Sequence, residues 1–103
     1  MSDTFVCRIG EVPAGGLLEV TVAGGEPLCV ARDGDQWWAC QGRCPHQGQP
    51  LCNAHLEGGV LTCLEHLWQW DLRAGGMAIG LAEEGLKMVA ITRLGDELHR
   101  QAS

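Results

Sequence analysis

The chain has 103 residues, of which 46% are hydrophobic, a combination that fits one folded domain and excludes a disordered chain. Thirteen acidic residues against seven Lys and Arg give a formal net charge of −6, which disfavours nucleic acid and acidic lipid surfaces as partners. Neither a basic N-terminal cluster before an apolar run nor an apolar stretch of about 20 residues occurs, so we expect a cytoplasmic protein without membrane association. In that reducing compartment the six cysteines favour metal binding over disulfides.

Short apolar or alternating stretches separated by glycine turns dominate the pattern along the chain. They predict strands over residues 5–9, 18–22, 28–31, 36–40, 60–62, 67–72, 87–92 and 97–100. The pair Asp33-Gly34 predicts a hairpin between the third and fourth of these. Only residues 80–85 hint at a helical turn. The predicted fold class is all-β, a small antiparallel sandwich or barrel.

Two short clusters near the middle of the chain each supply one thiol and one imidazole. They are Cys44-Pro45-His46 and Cys63-Leu64-Glu65-His66. This pattern fits a [2Fe–2S] cluster in which two cysteines hold one iron and two histidines hold the other. We therefore predict that Cys44, His46, Cys63 and His66 are the metal-ligating and cofactor-binding residues. A cluster of this kind transfers single electrons, and the chain lacks a G-x-G-x-x-G nucleotide fingerprint, so we predict an electron-transfer component that is not an enzyme by itself.

The surroundings of these residues resemble the Rieske ferredoxins. The resemblance is carried by CPHQ (44–47), EGGVLTC (57–63) and CLEHLWQWD (63–71), and is greatest to the ferredoxin components of bacterial multicomponent monooxygenases that hydroxylate toluene and related hydrocarbons. It implies a single Rieske domain over 1–103, with a base formed by 1–40 and 76–103. A cluster-binding subdomain at about 41–75 would be inserted into that base.

The same resemblance implies the roles of the ligands and the identity of the partners. Cys44 and Cys63 would hold the inner iron, and His46 and His66 the outer iron near the surface. The protein, a monomer, would take electrons from an NADH-dependent flavin reductase and pass them to a terminal di-iron oxygenase acting on aromatic hydrocarbons or alkenes. Neither ligand loop carries the extra cysteine of high-potential relatives, so we expect a potential toward the low end, about −150 mV.

Several other assignments stay open at this point. The protein could instead be the ferredoxin of a ring-hydroxylating dioxygenase, which would share the fold and ligands. A third alternative is a small subunit of an assimilatory nitrite reductase. A structural zinc-binding adaptor also uses two Cys and two His, but zinc fingers usually keep like ligands together. A four-cysteine cluster on Cys40, Cys44, Cys52 and Cys63 lacks the required C-x₄-C-x₂-C spacing.

The remaining cysteines and histidines could have either a purely structural role or a functional one. Cys7, Cys29 and Cys40 are expected to be small buried hydrophobes, whereas the roles of Cys52 and His55 between the two loops are open. His99 is expected to be solvated.

The tryptophans and the scattered acids are interpreted in the same way. Trp68 and Trp70 should share one face of a strand, either as core or as a shield of the cluster, and the adjacent Trp37 and Trp38 should face opposite ways, one in the core and one partly exposed. An acidic rim that recognises redox partners is predicted from Glu57, Glu65, Asp71, Glu83 and Glu84, with Glu65 inside the second loop.

Overall fold

The computed structural model describes residues 4–21, 25, 27–45, 50–64, 67–80 and 82–101. In this part of the chain all regular structure consists of strands and three short 3₁₀ helices, which confirms the predicted all-β class. The strands are β1 Thr4–Arg8, β2 Leu17–Thr21, β3 Pro27–Asp33, β4 Gln36–Gln41, β5 His55–Glu57, β6 Val60–Thr62, β7 Gln69–Asp71, β8 Met77–Ile79, β9 Met88–Val89, β10 Ile91–Leu94 and β11 Glu97–Arg100. The 3₁₀ helices are Ile9–Glu11, Leu51–Asn53 and Leu72–Ala74. No helix among the described residues has the length and apolarity that crossing a bilayer requires.

The strands form three antiparallel sheets. One has the order β1-β11-β10, the second β2-β3-β4-β9, and the third β5-β6-β7-β8. The third sheet occupies residues 55–79 and therefore interrupts the second sheet between β4 and β9. The division into a base and a subdomain at about 41–75 stays a prediction, although the inserted sheet itself extends to Ile79.

The predicted hairpin between β3 and β4 is confirmed, with a small change of register. Asp33 pairs with Gln36, so the two turn residues are Gly34 and Asp35. Gly34 has φ 61°, a left-handed conformation that the tight turns of hairpins require and that glycine adopts without strain.

Three sequence predictions differ from the structure. The short strands β5 and β8 were not expected, because neither stretch is rich in β-branched residues. The strand predicted over 87–92 is divided at Ala90, since β9 pairs with β4 while β10 pairs with β11 in another sheet. Where a helical turn was predicted, the described residues 80 and 82–85 form no helix; the Ala82 N–H donates to the Ile79 carbonyl at 3.3 Å and closes a turn.

Two separate groups of buried side chains lie on opposite faces of the second sheet. The first, which we call the site core, consists of Cys29, Ala31, Cys40, Cys44, Leu51, Leu56, Leu61, Cys63, Trp68, Trp70, Leu72 and Leu86. The second, the base core, consists of Val6, Cys7, Val12, Leu28, Val30, Ala39 and Leu98. Consecutive residues of β3 alternate between the two cores because successive side chains of a strand point to opposite faces. Each fully buried leucine contributes about 2 kcal/mol of transfer free energy, so both cores stabilise the fold.

Candidate metal centre

The structure brings two of the four predicted ligands into one buried environment. Cys44 is 3% exposed and Cys63 is 4% exposed, and both belong to the site core. The other two predicted ligands, His46 and His66, lie outside the described residues.

The first predicted ligand loop is closed at its base by the backbone. Arg43 and Pro50 form an isolated antiparallel bridge. Beneath it the Leu51 N–H donates to the Gly42 carbonyl at 2.9 Å. The side-chain amide of Gln41 donates to the Arg43 carbonyl at 2.8 Å and stabilises the same end of the loop. Cys44 therefore occupies the start of a loop whose two ends are fixed.

The second loop joins β6 to β7 and is equally short. The Cys63 N–H donates to the Trp68 carbonyl at 2.8 Å, and the Leu67 N–H donates to the Cys63 carbonyl at 2.7 Å. Leu67 has φ 60°, and among the described residues it is the one non-glycine residue in the left-handed region. Such a conformation costs a leucine roughly 1 kcal/mol, so the tight turn after Cys63 is formed against a local backbone preference.

A third segment, residues 82–86, packs against the site core, and we call it the covering segment. Leu86 is buried in the site core, and Ala82 packs against the same core. The Leu86 N–H donates to the Gly76 carbonyl at 2.9 Å. The indole Nε1–H of Trp70 donates to the Glu84 carbonyl, also at 2.9 Å.

The two tryptophans that follow the second loop are core residues. Trp68 is 8% exposed and Trp70 is 0% exposed, and their rings meet edge to face with centroids 6.2 Å apart. They share the site core, which confirms the prediction that they lie on one face. Neither is part of an exposed docking surface. Trp37 and Trp38 do face opposite ways, but both are half-buried: Trp38 packs on the site core and Trp37 on the base core.

Three cysteines outside the ligand loops are buried, as predicted. Cys29 and Cys40 lie directly opposite each other on β3 and β4, both are 0% exposed, and the Cys40 thiol donates to the Cys29 carbonyl at 3.7 Å. The hydrogen bond with Cys40, followed by burial, raises the pKa of the Cys29 thiol. Burial, followed by the nearby Glu11, raises the pKa of Cys7. All three pack in the cores as small apolar side chains, so we assign them a role in the fold. Cys52 is only partly buried, on the 3₁₀ helix Leu51–Asn53, and its role stays open.

The histidines outside the loops have carboxylate partners. His55 Nε2 lies 3.5 Å from Glu57 Oε2, with 58% of the His55 side chain exposed. His99 was expected to be solvated, and this prediction is wrong: its side chain is only 17% exposed. It lies against Phe5, with ring centroids 5.6 Å apart, and 2.9 Å from a Glu97 carboxylate oxygen.

The acidic residues proposed as a rim have different environments. Glu57, Glu83 and Glu84 are exposed, whereas Glu65 lies outside the described residues. The Asp71 carboxylate accepts the Arg73 N–H at 3.0 Å, so it caps a 3₁₀ helix rather than facing a partner.

Two exposed leucines beside the second loop were not anticipated from the sequence. Leu64 is 61% exposed and Leu67 is 59% exposed, and together they flank the dipeptide that contains His66. An apolar residue next to a strand is ordinarily expected to be buried in the core. The one sequence feature that separates them from the core is their position on either side of Glu65 within a short loop.

Comparison with known proteins agrees with this architecture. Residues 2–90 match the family model of the Rieske [2Fe-2S] domain. The ferredoxin component of the alkene monooxygenase system of Xanthobacter autotrophicus is 37% identical over 71 residues, which cover 68% of this chain and 57% of that protein. Subunit alpha 2 of the terminal oxygenase component of terephthalate 1,2-dioxygenase from Comamonas sp is 33% identical over 88 residues, covering 81% of this chain and 20% of that protein.

A solved structure gives the same result for the fold. The ferredoxin of Sphingomonas yanoikuyae B1 superposes with a TM-score of 0.90 at 17% identity, covering 99% of this chain and 100% of that one. At this identity the likeness concerns the fold alone. The chain spans less than two thirds of the length of both curated relatives named above, 57% and 20%.

Proposed function

This chain belongs to the Rieske [2Fe-2S] domain family, and from that premise we propose that it is a ferredoxin carrying single electrons to a terminal oxygenase. The cofactor of the family is a Rieske-type [2Fe–2S] cluster, so the predicted cofactor is confirmed. The observation that carries the proposal is the burial of Cys44 and Cys63 in one apolar core, each at the start of a loop closed by backbone hydrogen bonds.

The donor set of the chain fits this cluster. Soft thiolate ligands favour iron–sulfur clusters, and neutral imidazole is also a suitable ligand for iron. In the proposal Cys44 and Cys63 hold one iron, and His46 and His66 hold the other. When bound, the cluster accepts and releases one electron at a time.

The protein supplies the enclosure for that cofactor. Trp68, Trp70 and Leu86 share one apolar core with the two thiols, and in the proposal they keep water from the inner side of the site. Leu64 and Leu67 are exposed residues of the loop that carries His66. We assign to these two leucines the apolar contact with a redox partner.

The partners are proposed from the relatives and from charge. Similarity to an alkene monooxygenase ferredoxin supports a monooxygenase as electron acceptor. That this acceptor has a di-iron centre, and that the donor is an NADH-dependent flavin reductase, we propose from the resemblance of the ligand region alone. Similarity to a terephthalate dioxygenase subunit supports a ring-hydroxylating dioxygenase as the second candidate. A net charge of −6 favours basic docking surfaces on either partner. The proposal includes a monomeric carrier in the cytoplasm, where thiols remain available to metal.

Metal analysis and reduction kinetics test this function together. Anaerobically purified protein should be red-brown, contain two iron and two acid-labile sulfide per chain, and be reduced by NADH only when a flavin reductase is present. The rate of that reduction should fall as salt rises, because ions screen attraction between an acidic carrier and a basic partner. A colourless zinc protein would contradict the function, whereas a flat salt dependence would contradict only the electrostatic part.

Replacing Leu67 by Gly separates docking from folding. We expect the melting temperature to stay nearly constant because two effects oppose each other. Glycine relieves the backbone strain at φ 60°, and it also raises the conformational entropy of the unfolded chain. The second-order rate of electron transfer to the partner should fall about tenfold, which corresponds to about 1.4 kcal/mol of lost apolar contact. Stopped-flow kinetics measure the rate. Leu94→Ala is the matched control, since Leu94 is 51% exposed on the β1-β11-β10 sheet, and it should keep the parent rate.

A further inference from the structure

We propose that Trp70 is a positioning residue whose indole N–H fixes the covering segment against the site core and thereby keeps the potential of the cluster low. This inference rests on the proposed function, because it concerns how the protein encloses that cofactor. Trp70 is fully buried, and its Nε1–H donates to the Glu84 carbonyl at 2.9 Å. The bond connects the strand after the second ligand loop to a segment 14 residues later.

The covering segment is held at a second point by very close backbone packing. The Leu86 N–H donates to the Gly76 carbonyl at 2.9 Å. A Cβ added to Gly76 would lie 2.8 Å from the Leu86 carbonyl oxygen, and one added to Gly85 would lie 3.1 Å from the Gly76 oxygen. The two stretches therefore approach each other closely because both are glycine at the contact. Gly76 fixes the end of the segment at Leu86, while Trp70 fixes its middle at Glu84.

Trp70 connects this segment directly to the surroundings of the thiols. Its ring packs edge to face on Trp68, and both rings share one apolar core with Cys44 and Cys63. Leu86 at the end of the segment belongs to the same core. A phenylalanine at position 70 would fill nearly the same space, but it would leave the Glu84 carbonyl without its indole donor. The function of the nitrogen is thus separable from that of the ring.

The consequence for the cofactor follows from electrostatics. Each electron adds one negative charge to the cluster, and water close to the cluster stabilises that charge more than an apolar wall does. Solvent exposure is one of the factors that set the potential of iron–sulfur clusters. A segment held in place excludes water and disfavours the reduced form. A loosened segment should admit water and raise the potential.

Trp70→Phe tests this inference with one measurement that does not depend on the cluster. Hydrogen exchange of the Leu86 amide should become about tenfold faster, the effect of losing one partly buried hydrogen bond of about 1.4 kcal/mol. Voltammetry of the loaded protein should show a positive shift of the potential. Trp38→Phe is the matched control, because Trp38 packs on the same core from another sheet, and it should change neither quantity.

Gly85→Ala provides an independent displacement of the same segment. The added methyl group would lie 3.1 Å from the Gly76 oxygen, so one of the two stretches must shift by a few tenths of an ångström while Trp70 is unchanged, and we expect the same two changes. If Trp70→Phe fails to fold, the Gly85→Ala variant tests the inference in its place. Unchanged exchange and potential in a folded, iron-loaded variant would overturn the inference. A parent protein without iron would instead overturn the proposed function, while the exchange measurement would still report on the segment.

Discussion

Replacing His66 by Cys is expected to eliminate the Rieske-type EPR and visible spectra of the loaded protein. Two neutral histidines on one iron make a Rieske cluster easier to reduce than a four-thiolate cluster. A third thiolate adds negative charge, so any cluster that still assembles should have a potential lower by about 200 mV, toward the roughly −400 mV of plant-type ferredoxins. EPR of the dithionite-reduced variant, with iron and sulfide analysis, measures the effect.

His55, a second histidine outside the proposed ligand set, offers a matched control for the substitution of His66. It lies between the two loops in the sequence, but the structure places it on β5 with 58% of its side chain exposed and Glu57 as its partner. His55→Cys introduces the same thiol outside the proposed ligand set and should keep the parent spectrum and iron content. A parent-like spectrum from His66→Cys would mean that His66 is not a ligand.

Replacing Gly42 by Ala is expected to destabilise the fold by about 3 kcal/mol and to lower iron content. The Gly42 N–H donates to the Pro27 carbonyl at 2.9 Å, and a Cβ at position 42 would lie only 2.6 Å from that same oxygen. The backbone must move, which costs overpacking strain and the hydrogen bond together. Because Gly42 also accepts the Leu51 N–H that closes the first loop, the displacement reaches Cys44.

Gly10→Ala is the control for a simple increase in side-chain size. A Cβ at Gly10 meets nothing within 4 Å, so its free energy of unfolding should stay within about 0.5 kcal/mol of the parent value. Urea denaturation gives the stability of both variants, and anaerobic reconstitution gives their iron content. Equal stability of the two variants would contradict the close packing at Gly42.

The strand pattern could be predicted where a strand has its own sequence preference. Alternation in β2 and the turn glycine after β3 are local features, and the structure confirms them. The three-residue strands β5 and β8 exist because β6 and β7 provide edges on which they pair, which no short sequence window contains. The division at Ala90 has the same origin, since it depends on which sheet each half joins.

The site could be predicted in its chemistry but not in its enclosure. Cys44 and Cys63 are recognisable because thiols and imidazoles at short spacing have few other purposes, and the structure places both thiols in one core. The assignment of His46 and His66 stays a prediction. The bond from Trp70 to Glu84 joins residues that no motif relates, and the exposure of Leu67 depends on a backbone angle that favours glycine. Both are products of tertiary structure.

Strand β3 separates the site core from the base core. Val30 contributes volume to one side and its neighbour Cys29 to the other, so adjacent positions have independent mechanical consequences. We therefore expect a change of size at Val30 to disturb the base core, and a change at Cys29 to disturb the core that contains Cys44 and Cys63. If the proposed function holds, we expect that thermal stability can be raised through substitutions in the base core with little effect on the potential.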